Sequence, residues 1–327
     1  CRDERRLVWL DAMLRDIRYA WRGLRNGPTL NIAVIGSLAL CLGGNVAIFS
    51  MLYALVLRPL PFRQPAQLVE VYNAFPKVGI QKLLSNVGQY LDFKAHAPAF
   101  ATTALWRLDD FTLGVADGPV RIAGAVATAD LFDVLGVQPL AGHFFGPGNH
   151  IPGADNVAVL TESFWTSHFQ RDPGVIGRFL QLDGRSVQIV GIAPRVVEAL
   201  DARAKLIRPF TWPPDQTPSR TGWSPHLYGR LRPGASIAAA QAQVAALEQH
   251  YADTDAHARE FFERTGKIVK VDSLQAQRTE PVQRSLYLLQ TAVALLLVIG
   301  CVNIANVLLA RSNQRRDEFM IRAAPMA

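Results

Sequence analysis

The stretch TLNIAVIGSLALCLGGNVAIFSMLYALVL, residues 29–57, runs for 29 positions without a charged side chain. A second stretch, SLYLLQTAVALLLVIGCVNIANVLLA at 285–310, does so for 26. About 20 apolar residues in a helix cross the hydrocarbon core of a bilayer, so each run can span it with some tilt. Together they predict an integral membrane protein with two transmembrane helices and 227 residues between them. The first run is about twice the length of a signal-peptide core and is followed by no small-x-small cleavage site, so it reads as a retained anchor.

Charge then orients the chain. Residues 1–28 carry seven Arg against four acids and residues 311–327 four Arg against two, whereas 58–284 carry 23 basic and 21 acidic groups. The net charge of +7 therefore flanks the membrane. The positive-inside rule places both short ends in the cytoplasm and the middle outside it. Basicity for binding nucleic acid would form a patch on a folded domain, so no nucleic-acid partner is expected. Cys41 and Cys301 lie inside the spans and Cys1 is terminal, so the exported domain holds no cysteine and no internal disulfide.

Ahead of the first span, Leu10, Leu14, Ile17, Trp21 and Leu24 recur at helical steps, opposite Arg15, Arg18, Arg22 and Arg25. This predicts an amphipathic helix lying on the lipid surface until Asn26-Gly27-Pro28 breaks it. The exported region mixes α and β signals. Strands are expected at Leu68–Tyr72, Phe111–Val115, Val120–Ala127, Val157–Leu160, His226–Arg232 and Ile268–Leu274. Helices are expected from Ser85 to about Ala95, after Thr161, and from Ser236 to Tyr251. The segment FLQLDGRSVQIVGI predicts a hairpin turning at Asp183-Gly184. Proline-rich residues 198–224 are expected to form a long loop, and the last strand to complete a βαβ unit.

No motif for chemistry appears. Gly266-Lys267 is followed by Ile268 and lacks the glycine-rich lead of a phosphate loop, and no nucleophile elbow, H-E-x-x-H pair or C-x-x-C site occurs. The pairs His143/His150 and His250/His257 lack a third ligand at a familiar spacing. Asp109-Asp110 reads as turn chemistry. No catalytic residue, metal or cofactor is expected. The informative residues are in the spans: Ala39, Gly43 and Ala47, with Gly36 and Gly44 nearby, give one helix a smooth face for close packing. Asn303 and Asn306 are amides that need a neighbouring helix.

Several long motifs, in order, resemble MacB/FtsX-type ABC transporter permeases. Residues 13–62, MLRDIRYAWRGLRNGPTLNIAVIGSLALCLGGNVAIFSMLYALVLRPLPF, look like their opening. ADLFDVLGVQPLAGHFF at 129–145, VLTESFWTSHFQRDPGVIGRFLQLDGRSVQIVGIAP at 159–194 and HLYGRLRPG at 226–234 resemble the MacB-like periplasmic core domain. CVNIANVLLARSNQRRDEFMIRAA at 301–324 looks like the second span and the segment after it. The resemblance implies an inner-membrane, permease-like subunit without a nucleotide site, served by a separate ABC ATPase and completed by a second copy or permease half. It makes the helix at 14–25 and the segment at 311–323 the candidate ATPase contacts, with Ile17, Arg18, Trp21, Leu24, Arg315 and Arg316 as the residues. The family continues Ile-Arg-Ala-Ala-Leu-Gly-Ala where this chain reads Ile321 to Ala327 as IRAAPMA, and two further spans are expected after it, so the chain reads as a permease half truncated after its second span.

The expected class is α+β, with two transmembrane helices flanking a two-lobed α/β extracytoplasmic domain. The divisions are 1–28 cytoplasmic helix, 29–57 first span, 58–284 exported domain with an inserted β-rich lobe at about 125–218, 285–310 second span and 311–327 cytoplasmic segment. The rival reading is a two-span sensor or scaffold with an extracytoplasmic ligand-binding domain. A membrane-tethered hydrolase ranks below both, since no nucleophile-base pair can be nominated.

Overall fold

The computed structural model describes residues 28–115, 118–213, 220, 222 and 224–323, with backbone alone at 28–31, 33, 34, 55, 280–282, 307, 308 and 310–323. It separates into two compact units. One joins the chain up to Arg58 with the chain from Glu280, and the other is Pro59–Thr279.

The first unit is helical. Helix α1, Pro28–Leu52, ends in a wider π turn at Tyr53–Leu57, closed by Arg58 N–H donating to Tyr53 O over 2.8 Å. Pro28 suits the first helical position, where no intrahelical partner awaits its missing N–H. The last helix, α7, runs Leu274–Ala323. Within these, Ile35–Leu52 and Gln283–Asn306 are long and apolar enough to cross a membrane. Leu40, Leu295 and Leu309 are 79%, 58% and 64% exposed, an arrangement that suits lipid and not water. The amphipathic helix expected before α1 lies outside the described residues.

The second unit is built on one 11-stranded sheet. Its strands are β1 Leu68–Phe75, β2 Ile80–Leu83, β3 Phe100–Val115, β4 Gly118–Ala127, β5 Ala141–Gly142, β6 Val157–Thr161, β7 Phe179–Leu182, β8 Arg185–Ala193, β9 Leu206–Pro209, β10 His226–Leu231 and β11 Ile268–Ser273. The order is β11-β1-β10-β3-β4-β9-β6-β8-β5, with β2 on β1 and β7 on β3 and β8. The helices of this unit are α2 Val87–His96, α3 Leu131–Leu135, α4 Glu162–Phe169, α5 Ile237–Thr254 and α6 Ala256–Thr265.

Alternation along the strands divides the core. Val69, Val71, Leu105 and Leu227 pack with Tyr90 and Phe93 of α2 and Ala240 and Val244 of α5. Their neighbours Leu68, Ala104, Trp106 and Tyr228 point to the opposite face and meet Leu131, Phe132 and Leu135 of α3. A third cluster joins Leu160, Phe164, Leu182 and Ile189 around the β7–β8 hairpin. That hairpin turns where expected, with Asp183 at φ 51° and Gly184 at φ 74°, the left-handed pair a type I′ turn requires. Thr161 caps α4, its hydroxyl accepting from Phe164 N–H at 3.4 Å.

Three expectations need correction and a fourth is refined. Asn86, and not Ser85, caps α2: its Oδ1 accepts from Gln89 N–H at 2.9 Å, while the Ser85 hydroxyl donates to Val71 O at 2.8 Å. The short strand expected at 111–115 is the far end of the 16-residue β3. The proline-rich loop at 198–224 contains β9, which pairs parallel with β4 and antiparallel with β6 near the middle of the sheet. The βαβ unit is split: β10 and β11 both run antiparallel to β1, which lies between them. Gly266, not read as part of a phosphate loop, ends α6 at φ 67°.

Candidate functional site

Within the helical unit, α1 and α7 meet along a seam built from two amides and two glycines. Asn45 Nδ2 donates to Val293 O over 3.1 Å and to Cys41 O of its own helix over 3.0 Å. Gln290 Nε2 donates to Asn45 Oδ1 over 3.3 Å. A Cβ on Gly44 would meet Val293 Cγ1 at 3.6 Å, an ordinary contact, whereas one on Gly300 would sit 3.1 Å from Cys41 Sγ, closer than a Cβ usually comes. Leu52, Val56 and Leu286 close one end of the seam. Positions 286, 290, 293, 296 and 300 advance by three and four residues, the spacing of one helix face. Small residues allow close backbone approach and amides find partners there that lipid cannot supply.

The predicted packing residues lie elsewhere on these helices. Ala39, Gly43 and Ala47 are exposed, and neither Gly36 nor Gly43 has an atom within 4 Å of the position a Cβ would take. Asn303 and Asn306 are exposed too. Sequence reasoning passed over Asn45 and Gln290, although each is an amide inside an apolar run, the same signal that drew attention to Asn303 and Asn306. Of the candidate ATPase contacts, Ile17, Arg18, Trp21 and Leu24 lie outside the described residues. Arg315 and Arg316 fall on α7, where the backbone alone is described.

In the sheet domain, three polar constellations stand out. Glu70, on β1 with its side chain 4% exposed, receives His226 Nδ1 at 2.6 Å and Lys82 Nζ at 3.0 Å. Burial pushes the Glu70 carboxyl up, but His226 and Lys82 together more than offset this and hold it below the ordinary glutamate value. Lys82 also reaches Gln277 Oε1 at 2.5 Å. Second, Glu248 of α5 accepts from Lys267 at 2.6 Å and from Gln89 Nε2 at 2.7 Å. Gln89 in turn exchanges two hydrogen bonds with Asn73, at 2.8 and 3.0 Å.

The third is His150. Its Nε2 accepts from Ala129 N–H at 3.1 Å and its Nδ1 donates to Phe210 O at 2.9 Å, a pair of backbone partners that fixes the neutral tautomer. Burial depresses its pKa further than the Phe210 carbonyl raises it. The ring stacks on Trp212 at 5.2 Å, so this histidine fastens the segment after β9 to the turn before α3. His143 bonds to neither partner: its Nδ1 lies 3.0 Å from Phe144 O. Asp109 and Asp110 are held by Arg107 and Arg121, at 2.8 and 2.6 Å. Among the described residues, no group of three or more His, Cys, Asp or Glu converges as metal ligands. These constellations hold strands and helices together; none pairs a nucleophile with a base.

Solved structures similar to this chain include three domains of transporter or permease proteins. The periplasmic region of MacB from Actinobacillus actinomycetemcomitans is 13% identical, with a TM-score of 0.44 over 66% of this chain and 94% of that one. A domain from Porphyromonas gingivalis, described as belonging to a permease protein, is 15% identical, with 0.48 over 65% and 93%. The extracellular domain of the noncanonical ABC-type transporter YknZ from Gram-positive bacteria is 10% identical, with 0.44 over 63% and 99%. No curated protein matches the chain significantly. The profile of the MacB-like periplasmic core domain matches residues 32–247, from within α1 to within α5, about two thirds of the sequence. By that match, the chain belongs to the family of the MacB-like periplasmic core domain, the family of ABC transporter permease domains.

Proposed function

We propose that the protein is a permease-type subunit of a MacB/FtsX-like ABC transporter, in which a separate ATPase drives motion of the sheet domain in efflux or envelope processes. The observation that carries this reading is the family match over 32–247 in a chain with an apolar, span-length helix on either side of its sheet domain. The subunit itself is non-catalytic. The arginine excess at both ends supports a bacterial inner-membrane orientation with the termini in the cytoplasm and the sheet domain outside. Ile17, Arg18, Trp21 and Leu24, with Arg315 and Arg316, contact the ATPase. The exposed Ala39–Gly43–Ala47 face and the exposed Asn303 and Asn306 receive helices of a second copy or permease half, since amides facing lipid are costly.

A pull-down from detergent-solubilised native membranes, with a tag on the sheet domain and copurified chains identified by mass spectrometry, tests the reading. An ABC ATPase is expected in the eluate of the unaltered chain and is expected to vanish with Ile17→Asp, Trp21→Asp and Leu24→Asp combined. A folded, membrane-inserted chain that recovers no ATPase overturns it.

A further inference from the structure

A cavity of about 360 Å³ opens beside the α5–α6 junction, inside the sheet domain. Asp255, in extended backbone, ends α5 and caps α6, accepting from His257 N–H at 2.9 Å and Ala258 N–H at 3.2 Å, and the cavity is lined by α6, the start of α2, Tyr251, Arg220 and Lys267.

Its walls combine aromatic faces with fixed cations. The rings of Tyr251 and Phe262 stand 6.5 Å apart at 64°. The Arg220 guanidinium lies 4.0 Å from the Tyr251 ring centre, and Lys267 Nζ lies 4.5 Å from that of Phe262. Each cation is held by a carboxylate outside the lining, Arg220 by Asp92 at 2.6 Å and Lys267 by Glu248 at 2.6 Å. Arg264 adds a third cation, with no carboxylate partner among the described residues. Glu260 is the acidic residue of the lining, and because Asp92 and Glu248 offset Arg220 and Lys267, Arg264 is the lining's cation without a contacting carboxylate.

We infer that this cavity binds a small amphiphilic anion, an aromatic or branched apolar body bearing one carboxylate or sulfonate. Ligand sites of this size are mostly apolar with a few convergent polar groups. Here the apolar body lies against the wall that Tyr251 and Phe262 form together, their rings meeting edge to face, and the anionic head meets Arg264 at the exposed rim. A cation of similar shape meets the same Arg264 at the rim and is disfavoured there. The cavity lies within one compact unit, so the inference is independent of any ATPase partner.

The test is calorimetric titration of the full chain in dodecyl maltoside with 2-naphthoate, and with 2-naphthylmethylammonium as the cationic counterpart, subtracting empty micelles. Saturable naphthoate binding is expected, with the ammonium at least about tenfold weaker, a difference of about 1.4 kcal/mol. Arg264→Glu, an exposed position, is expected to weaken naphthoate about tenfold without moving the melting temperature, and Arg264→Lys to restore most of it. No saturable binding, equal binding of both probes, or undiminished binding by Arg264→Glu overturns the proposal.

Discussion

Lys267 Nζ stands 2.6 Å from Glu248 Oε2 with the two side chains 4% and 6% exposed, which makes this the most deeply buried ion pair among the described residues. It ties the residue entering β11 to α5, and through Gln89 it reaches Asn73 on β1. Burial pulls the Lys267 pKa down further than Glu248 lifts it, so the pair is held by its geometry against a real desolvation cost. Removing one partner strands the other charge. Glu248→Ala is therefore expected to destabilise the sheet domain by about 3–5 kcal/mol. The double change Glu248→Leu with Lys267→Met, which leaves no charge behind, is expected to cost clearly less. Denaturant unfolding of the full chain in detergent compares them, and equal losses for the single and double changes would sink this account.

Glu70 predicts how the domain responds to acid. Its carboxyl is held below the ordinary glutamate value by His226 and Lys82, so the folded state binds a proton there less readily than the unfolded chain does. A depressed acid contributes stability that is present above the unfolded value of about 4.3 and is lost as pH falls through the folded value. The melting temperature of the unaltered chain is expected to fall more steeply below about pH 5 than that of Glu70→Gln, which should melt lower at neutral pH and lose less on acidification. Parallel curves would show that Glu70 contributes no proton linkage.

The sequence disclosed those features whose cause is local. Asp183-Gly184 announced a hairpin because two successive left-handed residues leave few alternatives, and the two uncharged runs announced span-length helices because about 20 consecutive apolar residues suit the bilayer core. What stayed hidden depends on partners distant in the chain. Strand β9 is four residues long and ends at Pro209, which marked it as loop; it is a strand because β4 and β6 supply its ladder from both sides, with Phe210 N–H donating to Ala127 O at 2.7 Å. Arg208 within it is buried because Asp155 waits at 3.0 Å. The cavity was equally invisible, since Tyr251, Phe262, Arg220 and Lys267 are brought together by the fold and by no motif.

The helix seam can be tested with a single cysteine. Cys41 Sγ lies 3.1 Å from the position that a Cβ on Gly300 would occupy, on a seam where Asn45 and Gln290 fix the register of α1 against α7. A disulfide needs the two Cβ atoms about 3.8 Å apart, which leaves each sulfur near the opposite Cβ. Gly300→Cys is thus placed to cross-link to Cys41 under mild oxidation, giving a reducible shift in gel mobility that is lost in the Cys41→Ser background. Cys301, one residue on and exposed, sits on a different side of the helix and should not cross-link in the unaltered chain. Asn45→Leu removes the amide that donates to Val293 and accepts from Gln290, and is expected to slow cross-linking of Gly300→Cys by loosening a contact worth about 1 kcal/mol. A Cys41–Cys301 bond forming as readily as the engineered one would mean that the helices meet in another register.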